Sequence, residues 1–165
     1  MFFKDRTILV IGGTGTIGTS IIAELLKDQP KKIKIFSRDE YKQNVVKEQF
    51  NHHNRLEFVI GDVRDEDRVE EAMTNVDYVL QLAAMKRVDA CEQNPIEAVQ
   101  TNIIGNHHVM KAAIANKVKK VVFTSSDKAI SPTNAYGATK LIGERLIAAA
   151  GENNTVFASV RFGNV

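Results

Sequence analysis

Apolar residues in this chain fall into short unbroken runs, separated by segments in which they recur every three or four positions. Thr7-Ile8-Leu9-Val10-Ile11 is branched or apolar throughout, which fits a strand buried on both faces better than one with a wet side. Ile33–Phe36, Leu56–Ile60, Val76–Leu82, Lys120–Thr124 and Thr155–Val160 predict five further strands. Between them, Ile21, Ile22, Leu25 and Leu26 mark a helix ending near Asp28, and Asp65 to Met73 reads as another. A long helix is predicted from Pro95 to about Asn116, with proline in its first turn and Ile96, Val99, Ile103, Val109 and Met110 as core contacts. Asn102 sits mid-helix, where its propensity is poor, so a buried hydrogen-bonding role is expected for it. A last helix runs from about Tyr136 to about Ala149. The alternation predicts an α/β chain, a doubly wound parallel-sheet Rossmann fold spanning 1–165 as one domain.

The junction after the first strand carries the first candidate chemistry. Gly12-Gly13-Thr14-Gly15-Thr16-Ile17-Gly18 leads directly into a helix. Small residues let a pyrophosphate approach the backbone, and a helix N-terminus offers free N–H groups and a favourable dipole. After the second strand, enzymes that use NAD carry a carboxylate for the ribose 2′-hydroxyl. Here Ser37-Arg38 stand in that place, a hydroxyl and a guanidinium that suit a 2′-phosphate, so NADP is the expected cofactor, with Lys42 as a second cation. Asp39 and Glu40 are expected at the start of the next helix instead. Asp62, beside Val63 after the third strand, reads either as an acceptor for the adenine amino group or as a helix cap. After the fourth strand come Leu82, then Ala83 and Ala84, small enough for a cofactor to pass. Lys86 and Arg87 then place positive charge at the edge where a diphosphate would bind.

The second candidate lies after the fifth strand. Ser125-Ser126-Asp127-Lys128-Ala129 is followed by Tyr136-Gly137-Ala138-Thr139-Lys140. On a helix, Tyr136 and Lys140 share a face, and a nearby ammonium stabilises phenolate, so the tyrosine can act as a base toward an alcohol. A Tyr-x-x-x-Lys spacing is also ordinary surface packing, and Asp-Lys is an ordinary solvated turn. Their common position after a strand's carboxyl end, where open α/β sheets bind ligands, favours a site.

Composition narrows the class. The 165 residues are 44% hydrophobic and 25% charged with a net charge of +2, enough for one core and without a basic run that calls for nucleic acid. Cys91 is the single cysteine, which excludes an internal disulfide and suggests a reducing, cytoplasmic setting. The pairs His52-His53 and His107-His108 have no partners at metal-ligand spacing, so no metal is expected. No secretion signal is evident, and no run reaches the roughly 20 apolar residues of a membrane span.

Taken together, these motifs resemble the extended short-chain dehydrogenase/reductases that act on nucleotide sugars. More narrowly, Ser37-Arg38-Asp39-Glu40, Gly61-Asp62-Val63-Arg64-Asp65, Cys91-Glu92-Gln93-Asn94-Pro95, Thr101-Asn102 and Ser126-Asp127-Lys128-Ala129 through Lys140 resemble the inverting UDP-N-acetylglucosamine 4,6-dehydratases of polysaccharide and pseudaminic acid biosynthesis. Ser126 stands where that family commonly has threonine, and keeps the hydroxyl. Family members are about twice as long, so the resemblance implies an N-terminal portion from which the C-terminal substrate-binding part is missing. It also implies a homo-oligomer when the chain is full length.

The resemblance further implies roles. Tyr136 would take the C4 hydroxyl proton of a UDP-sugar, Lys140 would hold the nicotinamide ribose, and Ser126 would bond the C4 oxygen. Lys128 as an amine would remove the C5 proton, and Asp127 as an acid would protonate the departing C6 hydroxyl. Lys86, Lys128 and Asn164 would contact substrate. Retaining dehydratases have Asp-Glu where this chain has Asp127-Lys128, which favours inversion. A related 5,6-dehydratase, an epimerase or other oxidoreductase of the same family, and a non-catalytic NADP-binding module remain open alternatives.

Overall fold

The structure, a computed structural model, describes residues 1–150 and 154–163. Six strands form one parallel sheet in the order β3-β2-β1-β4-β5-β6: β1 Thr7–Ile11, β2 Lys32–Ser37, β3 Leu56–Ile60, β4 Tyr78–Gln81, β5 Lys120–Ser126 and β6 Val156–Phe162. The order turns back at β1, whose neighbours are β2 and β4, and this is the crevice where open α/β sheets bind ligands.

Because strand side chains alternate, β1 feeds two cores. Leu9 and Ile11 join Val79, Val121 and Phe123 on one face, while Ile8 and Val10 join Ile33 and Ile35 on the other. The second face is covered by α1 (Thr16–Lys27) and α2 (Glu40–Gln49) through Ile22, Leu25 and Val46. The first face is covered by α3 (Glu66–Ala72) through Val69, with Leu146 and Ile147 of a later helix packed against it. Every β1 residue is buried, as its unbroken apolar run requires.

The long predicted helix is three segments: α5 (Pro95–Val99), a π-helical turn (Gln100–Ile104) and α6 (Gly105–Ala115), preceded by a short α4 (Val88–Gln93). A π-turn inserts one extra residue per turn and shifts the buried face. Ile96 is accordingly 70% exposed and Val99 36%, against the expectation that both are core contacts, whereas Val109 and Met110 are buried. The fourth strand is shorter than its apolar run suggests, because Val76 is spent in the turn that follows α3. The last helix, α7 (Ala135–Ala148), is capped by Asn134, whose side chain accepts from Gly137 N at 2.8 Å, and Glu92 of α4 accepts from Ala135 N at 2.5 Å.

Candidate active site

The glycine turn leaves β1 with Gly12 at φ +80, a conformation that costs glycine little. A Cβ there would lie 2.7 Å from Ala83 N, so the turn presses directly onto the segment after β4. Side chains cap α2 and α3, through Asp39 accepting from Lys42 N and Asp65 accepting from Arg68 N, each at 3.0 Å. By contrast α1 begins at Gly15 with no side-chain cap and no acidic residue in its first turn. Its leading N–H groups therefore point toward an anion's place.

A groove of about 390 Å³ runs over this turn. It is lined by all the residues anticipated from the glycine turn to Lys86: Gly12, Thr14, Gly15, Thr16, Ile17 and Gly18; Ser37, Arg38 and Lys42; Asp62 and Val63; Leu82, Ala83, Ala84 and Lys86. Thr101 of the π-turn and Thr124 of β5 also line it, and nothing in their local sequence marks them. A crowded turn and an uncapped helix fit a dinucleotide's pyrophosphate, and two exposed cations, Arg38 and Lys42, stand at the rim.

Three details refine the sequence reading. Ser37 is the last residue of β2, and its oxygen accepts from the Gln43 amide at 3.0 Å inside the wall. Asp39 caps α2, as expected. Asp62 is not the cap of α3, a role that Asp65 takes. Asp62 instead accepts from Arg64 N at 3.0 Å and from its guanidinium, and Arg38 lies 3.4 Å away. Burial opposes its ionisation, but the Arg64 hydrogen bonds outweigh it, and the carboxyl lies below its ordinary range.

A second groove, about 300 Å³, continues the first through shared walls at Ile17, Leu82, Ala84, Lys86 and Thr124. Ser126, Lys128, Tyr136 and Lys140 line it together with Arg87, Phe162 and Gly163. Lys140 lies 5.9 Å from the centre of the Tyr136 ring, and its ammonium donates to the Thr124 carbonyl at 2.9 Å. Burial pushes the Lys140 amine down to about 8.

The turn Asp127–Ala129 carries the remaining groups. A Cβ at Gly137 would fall 2.2 Å from the Lys128 carbonyl oxygen, so only glycine lets α7 pack this closely on the turn. That contact seats α7, with Tyr136 in its first turn, on the turn that carries Lys128. The Lys128 amine stands 3.3 Å from the Asp127 carboxylate, which also accepts from the Ser126 hydroxyl at 2.9 Å. The Ser126 bond, with Lys128 second, holds the Asp127 carboxyl below its usual range. Asp127 itself is half exposed at the rim and does not line the groove. Asn164 lies outside the described residues.

Asn102 has the buried role its position suggested. Its side chain accepts from Met85 N at 2.8 Å and donates to Met85 O and to the Thr139 hydroxyl, each at 3.0 Å. Thr139 in turn donates to the Tyr136 carbonyl at 2.8 Å. The segment carrying Lys86 is thus tied to the helix carrying Tyr136. The histidines serve structure: His52 pairs with Glu48, and His108 meets the Val63 carbonyl. No helix among the described residues is long and apolar enough to cross a membrane.

A doubly wound sheet, a glycine turn at its switch point and a Tyr-x-x-x-Lys pair in the adjoining groove define the Rossmann part of an extended short-chain dehydrogenase/reductase. The chain belongs to the polysaccharide biosynthesis protein family, whose model matches residues 8–165. It is similar to the X-ray structure of Pen from Bacillus thuringiensis, with 58% identity, a TM-score of 0.98, and coverage of 100% of this chain and 54% of that one. A Campylobacter jejuni protein named UDP-N-acetylglucosamine 4,6-dehydratase (inverting) is 45% identical over 168 residues, covering 99% of this chain and 50% of its own length. A Rickettsia bellii protein named UDP-glucose 4-epimerase is 44% identical over 171 residues, with the same coverage. The chain spans about half the length of the curated relatives it matches.

Proposed function

We propose that this chain is the cofactor-binding and catalytic part of an inverting UDP-N-acetylglucosamine 4,6-dehydratase that works with NADP. The observation that carries the reading is Lys128 in the same groove as Tyr136 and Lys140, with the Asp127 carboxylate at the rim 3.3 Å from its amine. An oxidoreductase or epimerase needs only the tyrosine and its lysine. An amine and a carboxyl beside them are what an elimination requires. The Campylobacter jejuni relative supports the same reading.

NADP would be held by the glycine turn at its pyrophosphate, by Arg38 and Lys42 at its 2′-phosphate, by Asp62 and Val63 at its adenine, and by Tyr136 and Lys140 at its nicotinamide ribose. Bound there, it would supply reversible hydride chemistry, removal at C4 and return at C6.

The chain's own residues do the rest. Tyr136 takes the C4 hydroxyl proton, and Ser126 turns its hydroxyl from Asp127 to the C4 oxygen. Once C4 is a ketone, the C5 proton is acidic and lies within the province of Lys128. A neutral amine and a protonated acid are needed at this point, whereas the pair at 3.3 Å is ionic. Covering the pair with a sugar disfavours both charges, and one proton passed from Lys128 to Asp127 removes both. The amine then takes the C5 proton, Asp127 protonates the C6 hydroxyl, and water leaves. A solvent-derived proton delivered to C5 on the opposite face then inverts it.

Self-association of the full-length protein is part of this reading, and Ile96 of α5 and Ile142 of α7, 70% and 45% exposed, are apolar side chains that a partner could cover. A UDP-glucose 4-epimerase is the second reading, favoured by the Rickettsia bellii relative. The test is to incubate the protein made from its complete gene with UDP-N-acetylglucosamine and to analyse the product by mass spectrometry and NMR. A dehydrated, C5-inverted 4-keto-6-deoxy sugar is expected. A product of unchanged mass with an altered C4 configuration assigns the epimerase instead.

A further inference from the structure

Glu144 lies outside both grooves, yet three groove-lining segments converge on it. It follows Tyr136 and Lys140 on α7 at intervals of four, and so continues their face of the helix. One of its carboxylate oxygens accepts from the Ser125 hydroxyl at 2.5 Å and from Arg161 Nε at 2.8 Å. The other accepts from the Arg161 guanidinium at 2.7 Å. Ser125 immediately precedes Ser126 on β5. Arg161 pairs in register with Ser125 on β6 and immediately precedes Phe162 and Gly163, which wall the second groove.

The carboxylate is 14% exposed and bidentate to a planar guanidinium, a geometry that fixes direction as well as distance. The Arg161 hydrogen bonds, against the opposing effect of burial and with help from the Ser125 hydroxyl, hold the carboxyl below its ordinary range. The pair cannot be needed merely to close the core, since Arg161 is 45% exposed. It joins the helix bearing Tyr136 to the strand end bearing the far wall.

We propose that Glu144 is a positioning residue for the sugar half of the groove. Through Ser125 and Arg161 it sets the distance from Tyr136 and Ser126 to the Phe162–Gly163 wall. It touches neither the dinucleotide groove nor the reacting atoms. The inference rests on the proposed function only in taking the second groove as the place of the sugar nucleotide.

The experiment compares Glu144→Gln and Glu144→Ala with the parent in the protein made from its complete gene. NADP affinity is measured by titration, and kcat and KM are measured with UDP-N-acetylglucosamine. Glu144→Gln, which keeps the shape and the Ser125 bond, should lower kcat/KM about ten-fold, with most of the loss in KM. Glu144→Ala should lower it about a hundred-fold, the effect of a small misplacement. NADP affinity should stay within two-fold in both. The proposal is overturned if kcat/KM of Glu144→Gln stays within two-fold of the parent, or if NADP affinity falls in step with kcat/KM. Absence of turnover by the parent counts against the proposed function instead. Binding of the UDP-sugar to the same variants then decides the role of Glu144 by the same ratios.

Discussion

The Lys140 ammonium donates to the Thr124 carbonyl at 2.9 Å, and that carbonyl stands at the end of the strand that leads to Ser126. Burial disfavours this cation, which among the described residues has one hydrogen-bond acceptor, and its pKa falls to about 8. The sign for stability follows. Between about pH 8 and the ordinary lysine value the unfolded chain binds the proton that the folded chain has lost, so stability rises with pH across that window. The rise is on the order of 3 kcal/mol. Chemical denaturation of the parent and of Lys140→Met from pH 7 to 10.5 should show a rise present only in the parent. Equal slopes in the two proteins contradict this.

Asn102 bonds both backbone groups of Met85 and the Thr139 hydroxyl, and it is 1% exposed. Asn102→Ala leaves Met85 N without its acceptor and takes one partner each from Met85 O and the Thr139 hydroxyl, which keep the Cys91 thiol and the Tyr136 carbonyl. The group left unpaired costs about 1–3 kcal/mol. Urea denaturation should show a loss of roughly 2 kcal/mol or more. A loss below about 1 kcal/mol would mean that the π-turn holds its shape without this side chain.

Arg38 is exposed at the rim of the first groove and, among the described residues, pairs with Asp62 at 3.4 Å. Arg38→Ala should weaken NADP binding about 10–100-fold, the value of a charge-assisted bond, and leave NAD within about three-fold. Equal weakening of both nucleotides contradicts a 2′-phosphate role and returns Asp39 or Asp62 to consideration as a ribose ligand.

Much of this arrangement was legible in the sequence, for particular physical reasons. The unbroken β1 run favoured a doubly buried strand and the glycines after it a close backbone approach, and the residues expected from that turn to Lys86 line one groove. The last helix, expected from about Tyr136 to about Ala149, runs from Ala135 to Ala148. The π-turn was not legible, because i, i+3 and i+4 periodicity assumes a regular helix. One inserted residue turned Ile96 and Val99 outward. Glu144 was missed because its partners, Ser125 and Arg161, meet it only when β5 and β6 pair. Its one sequence sign was the repeated interval of four after Tyr136 and Lys140.

The central claim is that Lys128 removes the C5 proton of an oxidised sugar, and deuterium exchange reads that step directly. In D2O the protein from the complete gene should place solvent deuterium at C5 of UDP-N-acetylglucosamine-derived product, as seen by NMR. Lys128→Ala should bind NADP as the parent does and lower both C5 exchange and dehydration by about 10²–10⁴-fold. C5 deuteration at the parent rate in Lys128→Ala would contradict the account.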